Sequence, residues 1–157
     1  MALKAAMWVH GTAFHIEGPV EGVTLRGEGA LVTGKSDLTT RFHFPIPTPV
    51  VLDERRLQLV RVFVLYDTRP QTASPDALGP QLSSIRVFDG SRLVRSFDNL
   101  GLTGPHDKAL DGANTFTLAP AVEVFFGLSL SVSMFFPGAP SEEKRTILFT
   151  AAGADFE

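Results

Sequence analysis

Residues 122 to 136 alternate between apolar and other side chains over a longer run than any other segment, so they constrain the fold most. The residues of one parity are all apolar: Val122, Val124, Phe126, Leu128, Leu130, Val132, Met134 and Phe136. A period of two over this length is typical of a β-strand and not of a helix. The opposite parity carries Ser129, Ser131 and Ser133, so the predicted strand has one apolar face and one face of small polar side chains.

Other segments of the chain have strand-like composition and are bounded by turn residues in the same way. They are residues 5–17, 23–33, 40–44, 57–67, 84–88, 93–97, 115–118 and 146–150. Many short strands at close spacing predict an all-β fold. We therefore expect residues 1–157 to form a single-domain antiparallel β-sandwich, jelly-roll or immunoglobulin-like, with eight or nine strands and little or no helix. A closed barrel is the alternative architecture.

The stretch GALVTGKS, residues 29 to 36, fits the phosphate-loop pattern G-x-x-x-x-G-K-[ST]. That loop binds phosphate only at the N-terminus of a helix, and the following DLTTRFHFPIPTP has no helical period and contains three prolines. A strand ending in a turn at Gly34 and Lys35 is therefore the favoured interpretation. VFVLYD, residues 62 to 67, is likewise interpreted as a buried central strand rather than as a magnesium-positioning strand.

Charge and cysteine content restrict the partners and the compartment. The chain has 14 basic and 17 acidic residues, a net charge of −3, and no basic stripe, so no nucleic-acid partner is predicted. The first residues, MALKAAMWVHGTAFHIE, lack the long apolar run of a signal peptide or membrane span, so no membrane partner is expected. The absence of cysteine also favours a cytoplasmic protein.

Catalytic and metal-binding motifs are not evident. His10, His15, His43 and His106 share no ligand spacing, and no metal or cofactor is predicted. There is no G-x-S-x-G segment and no cysteine nucleophile, so no catalytic residue is assigned. Because catalytic groups can converge from distant segments, an enzyme with a cavity between the sheets or in a barrel remains the third functional hypothesis.

Non-enzymatic binding, with carbohydrate as the leading ligand class, is the first functional hypothesis. Trp8 and Tyr66 are the only amphipathic aromatic residues and are candidates for stacking on a sugar; a core or edge position is the alternative for Trp8. The polar segment GPHDKALDGAN, residues 104 to 114, offers Asp107, Asp111 and Asn114 as oxygen ligands. A small-molecule or saccharide ligand is therefore expected at these residues.

Self-assembly into a homo-oligomer is the alternative hypothesis. Small side chains permit close approach of another surface, and two phenylalanines share the serine parity. The predicted interface residues are Phe125, Ser129, Ser131, Ser133 and Phe135. The serines are equally explained as the solvated side of a sandwich strand.

Overall fold

A computed structural model describes residues 2–70, 79–139 and 141–157, and nearly all of the ordered elements in these ranges are strands. The strands are β1 (Ala5–His10), β2 (His15–Glu17), β3 (Val20–Leu25), β4 (Ala30–Gly34), β5 (Leu38–Ile46), β6 (Val51–Leu52), β7 (Arg55–Arg56), β8 (Gln58–Asp67), β9 (Gln81–Asp89), β10 (Arg92–Phe97), β11 (Pro105–His106), β12 (Thr115–Glu123), β13 (Leu128–Phe136) and β14 (Thr146–Phe156). One 3-10 turn, Glu142–Arg145, precedes β14.

The strands form an antiparallel β-sandwich, which confirms the predicted fold class. The first sheet has seven strands: β14 lies between β8 on one side and β1 and β4 on the other, β3 lies outside β4, and β11 and β12 lie outside β8. The second sheet has five strands in the order β10-β9-β13-β5-β2, and β6 pairs with β7 in a separate hairpin. The segment with the strongest alternation, β13, is thus the centre of the second sheet.

The core lies between the sheets and is built by the alternating apolar residues of β5, β8, β9, β13 and β14. Four phenylalanine rings form one cluster within it: Phe14, Phe42, Phe44 and Phe149, with centroid separations of 5.0–5.8 Å. The strands β8 and β13 each contribute at least four fully buried apolar side chains. Period-two alternation marks the core correctly within β13, but Phe126, which has the same parity in the predicted strand, lies in the loop before β13 and is 76% exposed.

All nine predicted segments contain strands, but three of them are interrupted. Segment 5–17 is divided into β1 and β2 by a turn at Gly11 and Thr12, and segment 23–33 is divided at residues 26–29. Segment 122–136 is divided at residues 124–127, which separate the end of β12 from β13. The structure adds the short strands β6, β7 and β11, which have too few residues to show a period. The described ranges therefore contain fourteen strands, more than the eight or nine that the sequence predicts.

The phosphate-loop pattern is a strand followed by a turn, as predicted. Residues 30–34 form β4, and β5 begins at Leu38, where a phosphate loop would require a helix. Packing explains the second glycine of the pattern, because a Cβ at Gly34 would lie 2.1 Å from the ring of Phe136. Asp67 ends β8 and accepts a hydrogen bond from the Arg69 N–H at 2.8 Å.

No helix in the described part of the chain is long and apolar enough to cross a membrane.

Candidate functional site

Trp8 lies on the outer face of the first sheet, with its indole partly open to solvent. In β1 the residues alternate between half-buried and exposed, and Trp8 belongs to the exposed set at 40% exposure. The other parity, Ala5, Met7 and Val9, packs against the core. Trp8 is therefore on the surface and not in the core. It lies on β1, which pairs with β14, so the structure agrees with a stacking position and with an edge position alike.

A row of paired residues across the first sheet explains how the indole is held. Trp8 is opposite Gly153, Gly153 is opposite Phe63, and Phe63 is opposite Thr115. The indole lies over Gly153, where a Cβ would come within 2.5 Å of the ring, and it stacks on Phe63 with centroids 5.0 Å apart and planes 19° apart. Glycine in the central strand therefore leaves the space over β14 in which the indole stacks on Phe63.

The next row along the sheet is polar. Asp155 is opposite Arg61, and Arg61 is opposite Thr117. The Arg61 Nη2 forms an ion pair with Asp155 Oδ2 at 2.7 Å, and the guanidinium lies 5.9 Å from the centroid of the Phe63 ring. An aromatic row and a row of hydrogen-bonding side chains thus lie next to each other on one face.

Two cavities adjoin these rows on the side of β12. One, of about 410 Å³, is lined by Arg61, Phe63, Leu110, Asp111, Gly112, Thr115 and Thr117. The other, of about 440 Å³, is lined by Leu3, Val60, Arg61, Thr117, Leu118, Ala119, Pro120, Ala121 and Glu157. Because both cavities share Arg61 and Thr117, we call them together the groove.

The loop of residues 104–114 forms one wall of the groove and is fixed by its own hydrogen bonds. His106 Nδ1 bonds to Asp111 Oδ2 at 2.7 Å, and His106 Nε2 bonds to the carbonyl of Thr103 at 3.0 Å. The second Asp111 oxygen accepts the Ala113 N–H at 2.7 Å. Burial acts to raise the pKa of the Asp111 carboxyl, but the hydrogen bonds from His106 and Ala113 hold that pKa below its usual value.

Two of the predicted ligand-binding residues, Tyr66 and Asn114, are buried, so a ligand in the groove cannot contact their side chains. Tyr66 points into the core, donates its hydroxyl to the Ala113 carbonyl at 3.0 Å, and has a pKa raised by burial and by the Asp111 charge. Asn114 is fully buried: its amide donates to the carbonyls of His106 and Ala109, and its oxygen accepts the Asp111 N–H. Both residues position the loop rather than face a ligand.

The remaining predicted ligand-binding residues are divided. Asp111 lines the groove and Trp8 stacks on Phe63, which also lines it. Asp107 is half-buried and is not among the residues of either cavity; its carbonyl accepts the Thr150 hydroxyl at 3.4 Å. The structure therefore places Asp111 in the groove and leaves Asp107 outside it. Trp8 lies beside the groove, in contact with it only through Phe63.

The predicted interface residues of β13 lie on the outer face of the second sheet, which we call the serine face. Ser131 and Ser133 are only 4% and 8% exposed. Their cross-strand neighbours explain this, because Ser131 lies between His43 and Arg86, and Arg41 lies opposite Ser133. Long neighbouring side chains thus cover the two central serines within one chain, and the face is not the bare surface that the sequence suggested.

The ends of that serine segment are more open. Ser129 and Phe135 are half-buried, and Phe125 is 39% exposed in the loop before β13. The guanidinium groups of Arg56 and Arg92 lie 4.6 and 5.3 Å from the centroid of the Phe125 ring. The exposed part of the predicted interface is therefore this loop and not the serines.

Asp89 fixes the loop of residues 124–127 from inside the protein. This carboxylate is 1% exposed and accepts the N–H groups of Phe125, Phe126 and Gly127 at 2.8–3.0 Å, together with Arg92 at 3.1 Å. Burial acts to raise the pKa of Asp89, yet the three backbone hydrogen bonds hold it below its usual value. The loop holds the Phe126 ring 76% exposed.

Sequence reasoning missed most of the groove. Phe63 and Arg61 stand in an apolar strand where only the register shows that they face outward, and Asp155 stands in the last strand of the chain. Thr115 and Thr117 have the period-two spacing of one strand face, which is the only signal that could have marked them. Asp89 ends β9 at its hairpin with β10, and a turn position in the sequence does not show that its carboxylate is buried and binds another loop.

Among residues 2–70, 79–139 and 141–157, no group of three or more His, Asp or Glu side chains is arranged to hold a metal ion. The family model described as "Family of unknown function (DUF6623)" matches residues 2–153. No curated protein and no solved structure matches the chain.

Proposed function

Since the chain belongs to the DUF6623 family, whose description assigns no activity, we propose its function from the site: a non-enzymatic module that binds a saccharide in the groove. One observation supports this most strongly, namely the 40%-exposed Trp8 indole, stacked on Phe63 beside a groove of polar side chains. An indole combines a large apolar ring with one polar N–H group, so it is suited to a ligand that has both apolar faces and hydroxyl groups.

The groove has the polar groups that would orient such a ligand. Thr115, Thr117, Asp111 and Arg61 together supply hydroxyl, carboxylate and guanidinium groups along one edge. Arg61 is paired with Asp155, so the groove carries no isolated positive charge that would favour an anionic ligand over a neutral one. An uncharged, hydroxyl-rich ligand matches this combination best.

Thermal unfolding in the presence of a saccharide panel tests this proposal. A ligand at about 100 times its dissociation constant adds roughly 2.7 kcal/mol to the free energy of unfolding and should raise the midpoint by several degrees. We expect at least one neutral saccharide to raise the midpoint of the natural protein and to have no effect on Trp8→Ala.

Leu93→Ala is the matched control, because Leu93 is also a large exposed apolar residue, at 49%, but belongs to the second sheet. This variant should respond to the saccharide as the natural protein does. Equal responses of Trp8→Ala and Leu93→Ala would contradict the assignment of the site. A panel without any response would contradict the function.

Self-assembly is the second candidate function, and it is favoured by a different observation. The Phe126 ring is 76% exposed and is held in place by the Asp89 hydrogen bonds to its own loop. A large apolar side chain that is both exposed and fixed in position is suited to contact with another protein surface. Assembly through Phe125 and Phe126 would make the sedimentation coefficient depend on protein concentration, with no saccharide present.

A further inference from the structure

The two cavities of the groove lie end to end along β8. The first adjoins Phe63 and the loop of residues 110–112, and the second extends past Val60 to Glu157. Arg61 and Thr117 line both of them and therefore mark the place where they meet. The two cavities are therefore neighbours on one side of the sheet, with Arg61 and Thr117 between them.

The length of the groove follows from the strand beneath it. Glu157 is joined to Gln58 by two backbone hydrogen bonds of 2.9 Å, so one end of the groove lies near Gln58 and the other near Phe63. Five residues of strand correspond to about 16 Å, which is the length of roughly three sugar rings joined end to end. A single ring would fill only one cavity.

An irregularity in β12 shapes the second cavity. Thr117 is opposite Arg61, but the next paired residue of β12 is Val122, opposite Leu59, so the intervening residues 118–121 leave the regular ladder. All four of them, Leu118, Ala119, Pro120 and Ala121, line the second cavity. This irregular segment gives the far half of the groove an outer wall that a regular strand would lack.

From these observations we propose that the ligand is a linear oligosaccharide of about three units that lies along β8, with its middle ring at Arg61 and Thr117. This inference rests on the proposed function. The Arg61 Nη2 is paired with Asp155, and the other N–H groups of this guanidinium are proposed to donate to the middle ring. Asp111 contacts the ring at one end.

Binding measurements with a saccharide series of increasing length test the inference. Isothermal titration calorimetry would use the monosaccharide, disaccharide, trisaccharide and tetrasaccharide of the compound that gives the largest thermal shift. We expect the affinity to rise about tenfold or more from the monosaccharide to the trisaccharide and then to stay constant, because a fourth ring lies beyond the groove.

A substitution at the junction of the cavities separates the two parts of the groove. Thr117 is exposed, so Thr117→Arg fills the junction without disturbing the core, and it should remove the gain from chain length while monosaccharide binding persists. Thr24→Arg is the matched control, since Thr24 is an exposed threonine in β3, a strand of the same sheet outside the groove. This variant should keep the full length dependence.

The outcomes distinguish this inference from the proposed function. Saccharides that bind with the same affinity at every length would overturn the inference and leave the proposed function standing. A length dependence that survives in Thr117→Arg would also overturn it, because the rings would then lie elsewhere. No binding at any length would contradict both.

Discussion

The outer faces of the two sheets differ in what surrounds their central strands. Each central strand has small residues on its outer face, Gly153 in β14 and Ser131 in β13. Beside Gly153 stand two aromatic residues, Trp8 and Phe63, whereas beside Ser131 stand His43 and Arg86. The aromatic neighbours stack on each other over the glycine and leave part of the indole exposed, while the long polar neighbours cover the serine.

The difference shows that a small residue in a sheet takes its role from its cross-strand neighbours. Ser131 and Ser133 have the stronger pattern in the sequence, yet they are covered. Gly153 has no pattern around it and supports the one tryptophan of the chain. Cross-strand pairs, not the alternation within one strand, decide which face is available to a ligand.

Asp89→Ala should have the largest effect on stability. It also tests whether the outer faces of the two sheets act independently. The change removes the acceptor for three backbone N–H groups in the loop next to the second sheet, and we expect a loss of about 2–4 kcal/mol in the free energy of unfolding. Denaturant unfolding measures the loss. Saccharide affinity under native conditions should be unchanged; a parallel loss of affinity would mean that the two faces are not independent.

Gly153→Val should damage the stack of Trp8 on Phe63 specifically. A Cβ at this position would lie 2.5 Å from the Trp8 ring and 2.8 Å from the carbonyl oxygen of Met7, so the strand and the ring must move apart. We expect a loss of about 1–3 kcal/mol and no saccharide binding. Ser131→Val, at the corresponding position of the second sheet, should keep binding and lose less stability. Equal effects of the two substitutions on binding would contradict the distinction between the faces.

Acidification should weaken binding through the wall of the groove. The pKa of Asp111 is lowered in the folded protein, so its carboxylate is still charged at the usual aspartate pKa of about 4. The carboxylate is protonated, and its contribution to ligand binding is lost, as the pH falls through the lower folded value. Affinity measured by calorimetry should therefore decrease below about pH 4 in the natural protein. Asp111→Asn should bind more weakly at neutral pH and show no such decrease. Asp89 also has a lowered pKa, so the folded fraction must be checked at each pH.

Phe126→Ser should have the smallest effect on the isolated chain. Because the ring is 76% exposed, its loss should change the free energy of unfolding by less than about 0.5 kcal/mol and leave saccharide binding intact. Analytical ultracentrifugation over a range of concentrations adds a test of self-assembly. A concentration-dependent species that disappears in Phe126→Ser would favour assembly through this loop, and its persistence would exclude the loop as the contact.

The fold was predictable because its signal is local. Alternation in β13 marks which side chains enter the core, and turn residues mark where strands end. The interruption of the first predicted segment at Gly11 was missed because apolar and aromatic residues continue on both sides of the turn. Packing accounts for that glycine too, since a Cβ there would lie 2.0 Å from the carbonyl oxygen of Phe149.

The groove was not predictable in the same way because it depends on register. Trp8, Phe63 and Thr115 come from three separated strands, and only their pairing through Gly153 places them in one row. Tyr66 shows the opposite error: its composition suggests a stacking surface, but its parity in β8 directs it into the core. Aromatic type alone therefore does not show which of the two candidates, Trp8 or Tyr66, lies on the surface.

Fluorescence titration of Trp8 tests the account most directly, because the chain contains one tryptophan and the signal reports on that residue alone. We predict that the trisaccharide of the binding series shifts the emission of the natural protein saturably, with the same dissociation constant as calorimetry, and that Thr24→Arg behaves identically. A saccharide that binds by calorimetry without any change in Trp8 emission would contradict the account, because the ligand would then occupy another surface.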